Sequence, residues 1–118
     1  MRKPVLRTAE QNVNQTPFGR HGVDPKSAAD EHRTVHYRGT VQGVGFRYTA
    51  RRLASRFAVA GYVRNLPDGR VLVVAEGQPA ELDRFLAAIM EHLGHYVDDV
   101  QVARGSAENH FRGFEIRF

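Results

Sequence analysis

In the stretch Val41-Gln42-Gly43-Val44-Gly45-Phe46-Arg47, two glycines and an arginine stand where they could bind an oxyanion. A loop with two positions lacking side chains lets successive backbone amides turn inward into a concavity, and a helix opening behind it adds the positive end of its dipole. Such a cup fits a phosphoryl group. Arg47 adds a planar fork of donors that can hold two phosphoryl oxygens at once. Glycine-rich turns between a strand and a helix also arise for steric reasons alone, so the spacing by itself leaves both readings open. Two better-defined phosphate motifs do not fit. A dinucleotide fingerprint needs a third glycine where Tyr48 stands, and a triphosphate loop needs Gly-Lys-Ser/Thr where the chain has Gly45-Phe46-Arg47.

Asn65 is the second candidate. It ends a strand just before Pro67-Asp68-Gly69, where an asparagine ordinarily bonds to its own turn. Beside a phosphate cup, its neutral amide could instead hold a water in line with phosphorus. The other reactive types lack partners. His92 and His95 lie three apart, but Gly94 interrupts the helix between them and no third ligand is evident, so no metal site is expected. Asp98 and Asp99 point to opposite faces of a regular strand, and Ser55 and Ser106 have no base nearby in sequence. Cysteine is absent, which excludes thiolate chemistry and disulfides.

The elements that must position these residues are readable from periodicity. A β-rich run from Thr34 to Val41 leads into the loop. Phe46, Ala50, Leu53, Ala54 and Phe57 then mark one face of a helix. Val59–Leu66 and Arg70–Glu76 read as a hairpin closed by Pro67-Asp68-Gly69, its second strand apolar on both faces and therefore central. Pro79 opens a second helix, with Leu82, Phe85, Leu86, Ile89, Met90 and Leu93 in period until Gly94. Tyr96–Ala103 reads as a strand with a bulge near Asp98-Asp99, and Gly113–Phe118 as a short last one. The order βαββαβ with right-handed crossovers predicts an α+β, two-layer ferredoxin-like sandwich: an antiparallel sheet, two helices on one face, and a short extra C-terminal strand.

Residues 1–33 show no sustained period and few apolar anchors, so they read as a mostly disordered extension to a domain spanning 34–118. Six basic and four acidic residues fall in the first part, eleven and nine in the second, so the formal net charge of +4 is shared evenly. The basic residues cluster locally: Arg47, Arg51, Arg52 and Arg56 share the first helix and Arg64 follows it, as a solvated face, a field gathering small anions, or both. No run is long and apolar enough for a membrane span and no signal-peptide core opens the chain, so the expectation is a cytoplasmic protein that does not engage membranes.

The same fold carries RNA-recognition modules. Arg112-Gly113-Phe114 faintly resembles their basic-glycine-aromatic signature, but on the last strand, while the third strand, Val71–Ala75, offers no aromatic for base stacking. The alternating phenylalanines at 114 and 118 read as core and edge packing.

Taken together, Gly39-Thr40-Val41-Gln42-Gly43-Val44-Gly45-Phe46-Arg47, Gly61-Tyr62-Val63-Arg64-Asn65-Leu66-Pro67-Asp68-Gly69, Glu76-Gly77 and Gly113-Phe114-Glu115-Ile116 resemble the acylphosphatases. The resemblance implies hydrolysis of acyl phosphates to carboxylate and inorganic phosphate, without metal or cofactor. It implies that Gln42, Gly43, Val44, Gly45 and Phe46 cradle the phosphoryl group with their amides, that Arg47 binds it, and that Asn65 orients the water. The implied partners are a small acyl phosphate and, as site ligand, phosphate or sulfate; nucleic acid is not expected, and a monomer is. Departures are Thr40, where many members are basic, and Ala50 beside Thr49, where a threonine often stands three positions after the arginine. Similar domains occur within larger hydrogenase-maturation carbamoyltransferases, whereas this one is expected to stand by itself. The alternative is a non-catalytic anion- or RNA-binding ferredoxin-like module.

Overall fold

A computed structural model describes residues 5–8 and 29–118. Its elements run β1 (Val5–Thr8), β2 (Glu31–Gly39), α1 (Phe46–Ala54), β3 (Val59–Asn65), β4 (Val71–Gly77), α2 (Pro79–Leu93), a 3-10 turn (Gly94–Tyr96), β5 (Val97–Ser106) and β6 (Phe114–Arg117). Along β2 the alternation of side chains buries Arg33, Val35 and Tyr37 on one face and leaves the others partly wet. Val71, Val73 and Ala75 of β4 and Val63 of β3 continue that dry face. Both helices cover it: α1 with Phe46, Ala50, Leu53 and Ala54, α2 with Leu82, Phe85, Ile89 and Leu93.

The sheet order is β1-β5-β2-β4-β3-β6. The four inner strands pair antiparallel, as the ferredoxin-like reading expects. The whole sheet is mixed, however, because β6 runs parallel to β3 and β1 parallel to β5. The expected antiparallel sheet thus forms its centre, and the two edge strands add one parallel pair each. β6 is the extra C-terminal strand, and it runs in the same direction as β3. The bulge near Asp98-Asp99 is present: Arg38 faces Asp99 while Gly39 faces Val97, leaving Asp98 unmatched.

β2 starts at Glu31, ahead of the expected boundary at Thr34, because the three extra residues have distant partners. Arg33 is 3% exposed and donates to Asp83 on α2 at 2.5 Å and to Glu31 at 3.0 and 3.2 Å. A buried guanidinium needs such pairing, and its decisive partner, Asp83, lies 50 residues away. Of the remaining N-terminal stretch, Val5–Thr8 is described, as the strand beside β5, along with Ala29 and Asp30. The reading of 1–33 as a mostly disordered extension otherwise lies outside the described residues.

Glu76, at the far end of β4, clamps the connection between β5 and β6. It is 5% exposed and accepts from the Glu108 N–H at 2.8 Å, the Asn109 N–H at 2.9 Å and His32 Nδ1 at 2.6 Å. Burial alone would raise its pKa, but the donors together outweigh this and hold it below its ordinary value of 4.5. A folded-state pKa below the unfolded one stabilises the fold above the unfolded value, and that stabilisation is lost as pH falls through the folded value. The urea midpoint is therefore expected to decline on acidification below about pH 4.5, and Glu76→Gln to flatten that decline. Glu76→Ala, which strands the loop donors, should lower stability by roughly 1–3 kcal/mol at neutral pH.

Candidate active site

β2 and β3 run the same way on either side of β4, so their C-terminal ends lie on one edge of the sheet. Tyr37 and Asn65 both pair with Val71, two residues before β2 ends and at the last residue of β3. Adjacent strands are about 4.8 Å apart, so Asn65 stands roughly 10 Å across the sheet from the strand that feeds the glycine loop. Topology thus brings residues 43–47 and Asn65 together despite their separation in sequence.

The loop itself is built by backbone conformation. Gly43 (φ 80°) and Gly45 (φ 81°) are left-handed, a region that any side chain would strain, and an added Cβ at either would meet nothing within 4 Å. Gly45 caps α1 without a side-chain acceptor, and the first turn of that helix holds no acidic residue. Its N–H groups are left for an external anion. The N-terminus of α2 differs: it begins with Pro79 and has Glu81 in its first turn. Phe46 fastens the loop to the core, 2% exposed with its ring 5.0 Å from that of Tyr37.

Gln42 fastens the other side. Its side-chain amide donates to the carbonyls of Leu66 at 2.8 Å and Arg70 at 3.0 Å, the two ends of the β3–β4 turn. The loop and the strand end bearing Asn65 are therefore held in one frame. Gln42→Ala is expected to lower stability by about 1 kcal/mol, and to lower kcat/KM about tenfold by letting the two halves of the site drift apart. Urea unfolding and steady-state kinetics on the same preparation check both.

Gly43, Gly45, Phe46, Arg47 and Asn65 all line one cleft of about 310 Å³, together with Val41, Tyr48, Ile116 and Phe118. Gln42 and Val44 of the expected cradle do not line it: Gln42 points its side chain at the turn, and Val44 packs against the core. Arg47 has no carboxylate partner among the described residues; its guanidinium lies 4.8 Å from the centre of the Phe118 ring. Its donors therefore remain free for an incoming anion. Arg51, Arg52, Arg56 and Arg64 are exposed.

Sequence reasoning missed Phe118, which is 92% exposed rather than packed. The available signal was its place in the alternation with Phe114 and Ile116, which puts it on the helix side of β6. The expected core role does hold for Phe114, whose ring meets Phe85 at 5.3 Å. The RNA-like reading has no stacking platform on β4, whose outward residues are Leu72, Val74 and Glu76. A second hollow, of about 360 Å³ beside α2, contains Arg33 and Asp83, which already neutralise each other. No three His, Asp or Glu side chains converge as a metal site would need, among the described residues.

The fold and this cleft define a small ferredoxin-like α+β domain with a carboxylate-free cleft at the loop after its first core strand. A family model described as acylphosphatase matches residues 33–116. An acylphosphatase of Archaeoglobus fulgidus is 42% identical over 85 residues, covering 71% of this chain and 94% of that protein. The crystal structure of an acylphosphatase from Bacillus subtilis superposes with a TM-score of 0.69 at 32% identity, over 75% of this chain and 99% of that one. The structure of full-length HypF also matches, with a TM-score of 0.69 at 26% identity, the likeness spanning 12% of that longer chain. The chain belongs to the acylphosphatase family.

Proposed function

We infer that the protein is an acylphosphatase that hydrolyses the carboxyl-phosphate anhydride of small acyl phosphates, with the reaction carried by the cleft of Gly43, Gly45, Arg47 and Asn65. The observation that carries the reading is an uncapped helix N-terminus, two left-handed glycines and an arginine without a counter-charge, all on the cleft that also holds Asn65. The loop amides and the Arg47 fork hold the phosphoryl oxygens, where charge is spread in the transition state. The Asn65 amide holds a water opposite the acyl oxygen. The water oxygen bonds to phosphorus as the phosphorus–acyl oxygen bond breaks, the carboxylate leaves with the bond's electron pair, and the water's proton passes to a phosphoryl oxygen.

A carboxylate is a good leaving group, so the enzyme need not protonate it. The residues lining the cleft include no Asp, Glu or His, in keeping with a reaction run by positioning and charge rather than by a side-chain base. The product phosphate, or sulfate in its place, occupies the same cup and inhibits. The enzyme needs no metal or cofactor and works as a monomer in the cytoplasm. Supporting the monomer, the exposed large hydrophobic residues among those described, Tyr48 and Phe118, both sit on the cleft rather than on a broader apolar patch.

Hydrolysis of benzoyl or acetyl phosphate in the presence of a chelator tests the reading. Turnover that is linear in enzyme, insensitive to chelator and inhibited competitively by phosphate is the expected result. Absence of turnover with both substrates would remove it.

A further inference from the structure

Among the described residues the large hydrophobic side chains are covered with two exceptions, Tyr48 at 75% exposure and Phe118 at 92%. A single exposed ring needs no explanation. Two, both on the one cleft that holds the glycine cup, form the pattern of a surface completed by a ligand. The Arg47 guanidinium lies over the face of the Phe118 ring, 4.8 Å from its centre, which ties one of the two rings to the cup.

The rest of the cleft narrows the chemistry. Arg47 is the only charged side chain among the lining residues. Once the phosphoryl group has taken Arg47 and the water has taken Asn65, no charged group of the cleft remains for a carboxylate, an ammonium or a second phosphate on the acyl half. The volume, about 310 Å³, is at the small end of the range for small-molecule sites, roughly 300–1,000 Å³, and suits a phosphoryl group plus one ring or short chain.

We propose that the acyl half of the substrate is apolar and planar, and that it packs against the rings of Tyr48 and Phe118 at the mouth of the cleft. This names the substrate class of the site and rests on the acyl phosphate reading above. With the phosphoryl group seated against the glycine loop, the acyl carbons extend outward to where the two exposed rings stand. An aromatic acyl group removes apolar ring surface from water there, and an acetyl group covers little of it.

The test compares kcat/KM for benzoyl phosphate and acetyl phosphate in the full chain and in Tyr48→Ser, Phe118→Ser and Phe118→Trp. Since Phe118 also touches Arg47, the quantity read is the benzoyl-to-acetyl ratio, from which any effect on phosphoryl transfer common to both substrates cancels. Each serine variant is expected to lower that ratio about two- to tenfold, and Phe118→Trp to retain it. Both rings are exposed, so circular dichroism should report an intact fold. A ratio unmoved by either serine variant, with both substrates still hydrolysed, overturns the apolar-acyl assignment and leaves the reaction class standing. A wild-type protein that hydrolyses neither substrate overturns the reaction class, and the assignment of the two rings falls with it.

Discussion

Replacing Arg47 by alanine is expected to cut kcat/KM for an acyl phosphate by about three orders of magnitude, the scale on which a phosphoryl-stabilising arginine acts. The loss has two parts. The guanidinium binds ground-state oxygens, so inorganic phosphate should inhibit the variant much less strongly. It also meets charge that grows in the transition state, so kcat should fall along with affinity. Arg47→Lys separates charge from shape: an ammonium keeps the field and loses the planar fork, and most of the deficit should remain. The fold should survive, since Arg47 is not part of the buried core and has no ion pair to break among the described residues. Near-wild-type turnover in Arg47→Ala, in a protein shown to be folded, would strike it from the mechanism.

The Asn65→Ala variant should lose about two to three orders of magnitude in kcat, comparable to removing one well-aimed polar group from a transition state. Its signature differs from that of Arg47. Asn65 is assigned to the water and not to the phosphoryl oxygens, so phosphate inhibition should persist while turnover collapses. Asn65→Asp is the sharper version, because a carboxylate can also accept from a water but sets a negative charge facing the phosphoryl group. It should weaken phosphate inhibition as well as turnover. Should Asn65→Ala instead weaken phosphate binding with kcat intact, the residue would belong to the cup, and the water would need another holder.

Much of the fold was legible because its signals are local. The helical stripe of Leu82, Phe85, Ile89 and Leu93 lies within α2 and is buried as its period requires. The Pro67-Asp68-Gly69 turn closes as its residue types demand, with the Gly69 N–H donating to Leu66 O at 3.1 Å. The place of Asn65 followed from topology once the strand order was read. The features that escaped depend on partners far along the chain. The early start of β2 rests on Arg33 meeting Asp83 and on His32 meeting Glu76, 50 and 44 residues away. The structural work of the Gln42 side chain was not legible either, because its amide is committed to carbonyls 24 and 28 residues on. Phe118 reads as packing in any alternation pattern, and only the three-dimensional arrangement puts its ring under Arg47.

The shared register of Tyr37 and Asn65 on Val71 bears on how the protein comes to life. β4 pairs with β3 through a local hairpin but with β2 across a long stretch of chain, so the two halves of the site meet only when that non-local pairing forms. An unfinished sheet holds the loop and the asparagine on strands that do not yet know each other's position. Competence should therefore arrive all at once with the pairing of β2 and β4, and a chain caught short of that step is inert rather than sluggish.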